Sequence, residues 1–312
     1  MLKRIYNKLR GESLKFARSA SRKWSSLAIE PKVASSIQLE QVLLNTLLSE
    51  KGKKGEPIDI SDYGFRVYSQ TEEDGIILAI FSQIGTTTRK CVEIGAGMAP
   101  YSEVECNTAN LLIHHGWEGL IIDGDPKNIH RIQQFFKTHA NTWHATPKTI
   151  ASFVHGENIN DLLNKHDFNS ELDLLSLDID GVDWWVFKAL QVTKPRVLIL
   201  EINDVLPYPS TLTIPYSASF NHREHNPPGL DAHYFGASLG AFKVLAQEKG
   251  YRLLGINRSA SNAFFLRNDI VAPTLPTRLP EECPIHQRTR QRRAQFHDKI
   301  SKMSWVDVLT VL

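Results

Sequence analysis

Lys90-Cys-Val-Glu-Ile-Gly-Ala-Gly97, followed by Gly119-Leu-Ile-Ile-Asp123, decides the fold. Each is a short apolar run that ends in a glycine turn or a carboxylate, and a helical stretch near Asn107–His115 separates them. The pattern continues outward. A helix near Lys127–Thr138 leads to a short strand about Thr142–Ala145 and a helix near Ile159–Lys165. Leu172–Asp178, a helix near Trp184–Leu190 and Arg196–Glu201 come next. After a polar, Pro-rich loop, Asn203–Leu230, a helix near Ser238–Lys249 precedes Tyr251–Ile256 and Asn262–Arg267, close enough to pair as a hairpin. The apolar runs are continuous rather than alternating, as strands covered on both faces must be. Strand–helix alternation of this kind predicts an α/β fold with a doubly wound, mostly parallel sheet.

The chain has 312 residues, enough for one large α/β domain with appendages. Its net charge of +2 gives no reason to expect nucleic acid as a partner. Residues 1–55 read as a basic, helical N-terminal extension, 56–272 as the α/β domain, and 273–312 as a tail, Pro-rich and then basic. Within 1–28, Lys3, Arg4, Lys8, Arg10, Lys15, Arg18, Arg22 and Lys23 stand against the single acid Glu12. Three readings fit: a solvated or capping helix, a transit peptide, and a surface in peripheral contact with anionic membrane. No stretch reaches the ~18–20 uncharged apolar residues that span a bilayer. Cys91, Cys106 and Cys283 are too few and too scattered for a disulfide framework, which points to a reducing, cytoplasmic compartment. Leu39, Val42, Leu43, Leu47 and Leu48 recur at near-helical spacing before the breaker run at 51–55. Ser69 or Thr71 is positioned to cap a helix running to about Ile84. Arg288, Arg290, Arg292 and Arg293 read as a solvated helix face, or else as a contact for phosphate or acidic lipid.

An open parallel sheet binds ligands beyond the carboxyl ends of its strands, where the strand order reverses. The first strand ends Glu93-Ile-Gly95-Ala-Gly97. Its glycines allow a tight turn, and its acid suits an ammonium group. A third glycine is absent, and Met98–Cys106 delays the helix whose N-terminus a pyrophosphate would need, so a nicotinamide dinucleotide fits less well than a sulfonium nucleoside. Asp123 and Asp125 suit ribose hydroxyls, although Asp125-Pro126 equally opens a helix. The fourth and fifth strands end Ser176-Leu-Asp178-Ile-Asp180-Gly181 and Glu201-Ile-Asn203-Asp204. So many carboxylates in one crevice repel unless a cation or hydrogen-bond donors offset them. They suit either a general base for an acceptor hydroxyl or an oxygen-rich site for Mg²⁺. One of Asp178 and Asp180 is expected simply to cap the adjoining helix and loop. His222, His225 and His233 lack the spacing of a zinc site and read as surface histidines, with His233 and Tyr234 as candidate acceptor contacts.

Ser69-Gln-Thr-Glu-Glu-Asp-Gly75, Val92-Glu-Ile-Gly-Ala-Gly97, Asn107-Thr108, Gly116-Trp-Glu-Gly-Leu-Ile-Ile-Asp123, Asp173-Leu-Leu-Ser-Leu-Asp-Ile-Asp-Gly181 and Tyr234-Phe-Gly-Ala-Ser-Leu239 resemble the FkbM-like group of S-adenosylmethionine (SAM)-dependent methyltransferases. The likeness spans roughly residues 65–270. It implies a Rossmann-like class I methyltransferase fold: a seven-stranded sheet with a reversed last strand. It implies SAM as cofactor on Glu93, Gly95, Gly97 and Asp123, with Asn107 and Thr108 where the family has a Ser-Asn-Thr run; Asp125 joins them as a cofactor candidate from the strand-end reading alone. Family members methylate hydroxyl groups of sugars or secondary metabolites, so the resemblance implies O-methylation of a small-molecule or glycan acceptor. The strand-end and loop reading offers Asp178, Asp180, Glu201, Asn203 and His233 for that step, as proton acceptor, cation ligands or acceptor contact. Cys106 replaces the family's serine, and Asp180 stands where the family has glutamate. A non-catalytic SAM-fold binding module and a nicotinamide-dependent oxidoreductase are the alternatives.

Overall fold

The computed structural model describes residues 36–99, 103–226, 228–230 and 233–312. The basic segment 1–28 lies outside them. The chain divides into two compact units, Met1–Leu47 and Leu48–Leu312. In the first, the described residues 36–47 are helical. Among the described residues no helix is long and apolar enough to cross a membrane.

The second unit is built on one seven-stranded sheet. Its strands are β1 (Lys90–Ile94), β2 (Glu118–Asp123), β3 (Lys148–Ala151), β4 (Leu174–Leu177), β5 (Val197–Glu201), β6 (Tyr251–Ile256) and β7 (Asn262–Arg267). Their order across the sheet is β3-β2-β1-β4-β5-β7-β6. All pairings are parallel except those of β7, which runs antiparallel to both neighbours. This is the doubly wound sheet with a reversed last strand that the alternating pattern and the resemblance imply. The central strands β4 and β5 are buried at every position, which explains why their sequences carry no alternation.

The helices follow from local signals. In α1 (Glu73–Ile84) every residue from Glu73 to Phe81 is buried. Its N-terminus is tied less simply than capping by Ser69 or Thr71 would have it. The Ser69 hydroxyl does accept the Asp74 amide at 3.3 Å, but Thr71 donates to Glu73. Asp74 in turn accepts the amides of Val67, Tyr68 and Ser69. Glu73 is fully buried and accepts from Asn257 and Asn262, which fastens α1 to the β6–β7 hairpin. The short helix α2 (Ala109–His114) follows β1, and α3 (Pro126–Thr138) follows β2. The latter starts on an Asp125 cap with proline in the first turn and buries the stripe Ile129, Ile132, Phe136.

The strand expected at Thr142–Ala145 is instead a turn. Thr142 gives its hydroxyl to the Phe136 carbonyl, and its own carbonyl accepts the Ala145 amide. The edge strand is β3, whose ends are exposed, so no apolar run marked it. Beyond it lie α4 (Ile159–Lys165), α5 (Asp183–Ala189) and α6 (Leu239–Glu248), the last capped by Ser238.

The segment expected as a tail packs into the main core. Phe296 and Ile300 of α7 (Gln287–Ile300) and the nearby Val308 are buried in one cluster with Phe242, Phe265 and Trp184. Burying each such large side chain contributes about 1.5–3 kcal/mol. Two of the four arginines read as a solvated face are in fact committed inward. Arg292 pairs with Asp204 at 2.6 Å, and the Arg293 guanidinium lies 4.2 Å from the centroid of the Tyr208 ring. Arg288 and Arg290 are exposed.

At the end of the sheet remote from the strand carboxyl termini, Asp173 is fully buried. It accepts the Arg196 guanidinium at 2.7 Å together with the amides of Thr87, Thr88 and Arg89. Asp173→Ala strands that guanidinium and three amides, so a loss of about 3–5 kcal/mol is expected. Urea denaturation measures it, and a loss under 1 kcal/mol would show the pair to be ornamental.

Candidate functional site

Strand register brings the predicted ends together. Ile94 of β1 pairs with Ile122 of β2 on one side and with Leu177 of β4 on the other. The next residues along each strand, Gly95, Asp123 and Asp178, therefore sit side by side at the point where strand order reverses. Leu177 in turn pairs with Leu200 of β5, which sets Asp178 beside Glu201.

Gly95 is what lets these ends close up. Its φ is +88°, and a Cβ there would lie 1.5 Å from the Asp178 carbonyl oxygen. No side chain fits. Gly97 is different: a Cβ there would make ordinary contact, 3.4 Å from the Glu105 carbonyl, within a short hairpin joining 97–98 to 104–105. That hairpin also holds α2 back, so no helix N-terminus follows the glycine turn directly.

The ends surround a cavity of about 550 Å³. Of the residues assigned to the cofactor, Glu93, Gly95, Gly97, Asn107, Asp123 and Asp125 line it. Thr108 lies behind, where its amide donates to Glu93 at 2.9 Å and the Asn107 amide donates at 3.3 Å. Burial pushes the Glu93 carboxyl up to about 7, although these donors pull the other way. Asp123 is also raised, by burial, and accepts the Asp125 amide at 2.8 Å. Asp125 both faces the cavity and caps α3, accepting from Lys127, so its two readings coexist. Asn128 reaches across to the Ala96 carbonyl at 2.6 Å and holds the glycine turn against α3.

Among the catalytic candidates, Asp178 and Asp180 line the cavity. Glu201 stands just behind: one carboxylate oxygen from each of the three lies within 4.8 Å of the others. Burial pushes Asp178 and Glu201 well up, with Asp180 and Asp183 raising both; Asp178 also raises Glu201, whereas a hydrogen bond with Glu201 lowers Asp178. Capping falls to neither Asp178 nor Asp180. The helix α5 has no side-chain cap, and Asp183 in its first turn instead pins the loop, accepting the amides of Ile179 at 2.8 Å and Gly181 at 2.9 Å. Pinned on both sides, Asp180 adopts a left-handed φ of +52°, and its carboxylate projects from the loop.

Asn203 is not at the cavity. It is fully buried, donating to the His233 and Phe235 carbonyls and accepting from Val205, and so ties the long loop to β5. His233 packs its ring 4.1 Å from that of Phe296. Tyr234 donates to the Ser304 carbonyl. Neither residue is among those that line the cavity.

Sequence reasoning missed His222 and Phe153. The loop after β5 folds back so that Phe220, Asn221, His222 and Arg223 close one side of the cavity, with His222 Nδ1 3.7 Å from Asp180 Oδ2. Nothing in the spacing of His222 separates it from His225, which stacks on Phe220 instead. Phe153 follows β3, lines the cavity and is 71% exposed. It stands over Gly124, where a Cβ would lie 2.8 Å from the ring. An aromatic just past a strand that itself lacked an apolar signal was not legible. All three cysteines are buried and unpaired with one another.

The cavity wall carries six carboxyl side chains, those of Glu93, Glu105, Asp123, Asp125, Asp178 and Asp180, against the single guanidinium of Arg223. Such a lining favours a cationic ligand and opposes a polyphosphate.

No family model and no curated protein matches the chain. Among solved structures it is similar to the methyltransferase domain of bacterial CtHen1, with 13% identity and a TM-score of 0.39 over 62% of this chain and 97% of that one. It is also similar to the CurJ carbon methyltransferase, with 15% identity and a TM-score of 0.39 over 76% of this chain and 70% of that one. These likenesses are too distant to carry an activity to this chain.

Proposed function

We infer that the protein is a SAM-dependent methyltransferase that methylates a hydroxyl oxygen of a small-molecule or glycan acceptor. One observation carries this reading: Glu93 and Asp123, on neighbouring strands, line the same acidic cavity beside an obligatory glycine turn. SAM bears a sulfonium and an ammonium against one carboxylate, so its charge complements that wall. A dinucleotide's pyrophosphate would face the same acids with no helix N-terminus behind the turn.

Asp123 and Asp125 are placed for ribose hydroxyls, and Phe153 offers a flat apolar face for the adenine. Asp178 and Asp180 face the remaining space, where the acceptor would lie. The sulfonium already makes the methyl carbon electrophilic, so the chain's task is to align acceptor oxygen, methyl and sulfur. In the transfer the acceptor oxygen bonds the methyl carbon, the carbon–sulfur bond breaks with its electron pair staying on sulfur, and Asp178 or Asp180 takes the hydroxyl proton.

Calorimetry with SAM and NAD side by side tests the reading. Saturable heat with SAM alone is expected, and Phe153→Ala should weaken it by about 1–3 kcal/mol, the usual worth of base–aromatic stacking. Binding of NAD with none of SAM would overturn it. SAM binding without turnover on any hydroxyl acceptor would leave a binding module.

A further inference from the structure

The geometry points to a binding site for a hard divalent cation, Mg²⁺ or Mn²⁺, formed by Asp178, Asp180 and Glu201 on the acceptor side of the cavity. The three carboxylates come from two adjacent strand ends and approach within 4.8 Å with no cation side chain among them. His222 stands beside Asp180, its Nδ1 3.7 Å from Asp180 Oδ2. The other charged groups packed around the cluster, Asp183 and Glu93, are acidic.

Two buried oxygen atoms mark the cluster as built for a ligand. Glu201 is 9% exposed, and its Oε2 meets no donor among the described residues. Asn262 is 3% exposed, lines the cavity, and its Oδ1 likewise meets no donor. Asn262 is the register partner of Glu201 across the β5–β7 pair, so the two side chains project on the same face. Buried acceptors without donors are costly, and a cation held by the three carboxylates would satisfy Glu201 Oε2.

An all-oxygen donor set selects hard ions over zinc or copper. Three carboxylates on one side of an open cavity leave coordination positions for water and for an acceptor oxygen, the arrangement Mg²⁺ prefers. The binding stands on the cluster alone. Only its use, orienting and acidifying an acceptor hydroxyl, rests on the methyltransferase reading.

The test is Mn²⁺ titration of the full-length, metal-free protein without SAM or acceptor, followed by electron paramagnetic resonance. Mg²⁺ is titrated in parallel by calorimetry. One saturable site is expected. Asp180→Asn should weaken Mn²⁺ at least tenfold while leaving the circular dichroism unchanged, because asparagine tolerates the left-handed backbone at that position. Glu201→Gln should weaken it similarly. Absence of saturable binding, or binding that both variants retain, would overturn the site and leave only adventitious uptake by surface acids. Failure of SAM to bind would leave this result untouched, so the two readings fail separately.

Discussion

Gly95→Ala is expected to abolish SAM binding and to lower the thermal midpoint by roughly 10 °C, taking about 2–4 °C per kcal/mol for a domain of this size. The left-handed backbone at φ +88° alone costs an alanine about 1–2 kcal/mol. The new methyl would also lie 1.5 Å from the Asp178 carbonyl oxygen, so β1 and β4 must part. Overpacking of this kind adds about 1–3 kcal/mol. The displaced strand ends carry Asp178 away from Asp123, and the cavity loses its shape. Gly97→Ala is the control, since its methyl meets ordinary contacts; it should melt within a few degrees of the parent. Differential scanning calorimetry and SAM titration of both variants settle the matter. A Gly95→Ala protein that melts and binds like the parent would mean the turn is not what closes the site.

Asp178→Asn should cut methyl transfer by about 10²- to 10⁴-fold, the usual worth of a positioned proton acceptor. SAM affinity should change by only a few fold, because Asp123, Asp125 and Phe153 remain. Stability should move the other way. Burial, followed by Asp180 and Asp183, raises the Asp178 carboxyl well above the ordinary carboxylate range. A carboxyl whose folded value is raised holds its proton more tightly folded than unfolded. Stability therefore falls as pH climbs from the unfolded to the folded value, and the full cost is present above the latter. The asparagine relieves that cost, so the variant should melt no lower than the parent at alkaline pH. In the parent, the acid limb of the pH–rate profile should lie above the range of a solvated aspartate, since the group must ionise to accept a proton. A variant with full turnover and an unchanged acid limb would remove Asp178 from the reaction.

The parallel core was legible because its signal is local. A strand covered on both faces must be apolar nearly throughout, and Val92–Ile94, Leu174–Leu177 and Val197–Leu200 are so except at Glu93 and Ser176, both of which are hydrogen-bonded to the Asn107–Thr108 turn. The edge strand β3 escaped for the converse reason. Half exposed, it needs no apolar run, while Thr142–Ala145 carried β-forming residues that a hydroxyl bond to Phe136 bends into a turn.

Strand-end chemistry was legible in kind but not in assignment. Composition put carboxylates at the ends of β1, β2, β4 and β5; register and burial decided that Asp183 pins the loop, Asp180 projects and Glu201 stands behind. Asn203 looked equivalent to its neighbours until the long loop closed over it. His222 and Phe153 came to the cavity by folds of loops that no local spacing encodes. The C-terminal arginines divide in the same way, into a pair at the surface and a pair held by Asp204 and Tyr208.

By itself, then, the amino-acid order determined which segments are strands of a covered sheet and which polar residues terminate them, because backbone pairing and apolar burial act over a few neighbouring residues. Which of those termini share a cavity, which acids keep a proton and which merely hold a loop was decided only in three dimensions. Desolvation and charge–charge interaction act over a few ångströms of space, and residues such as Glu201 and Asn262, far apart along the chain, are direct neighbours there.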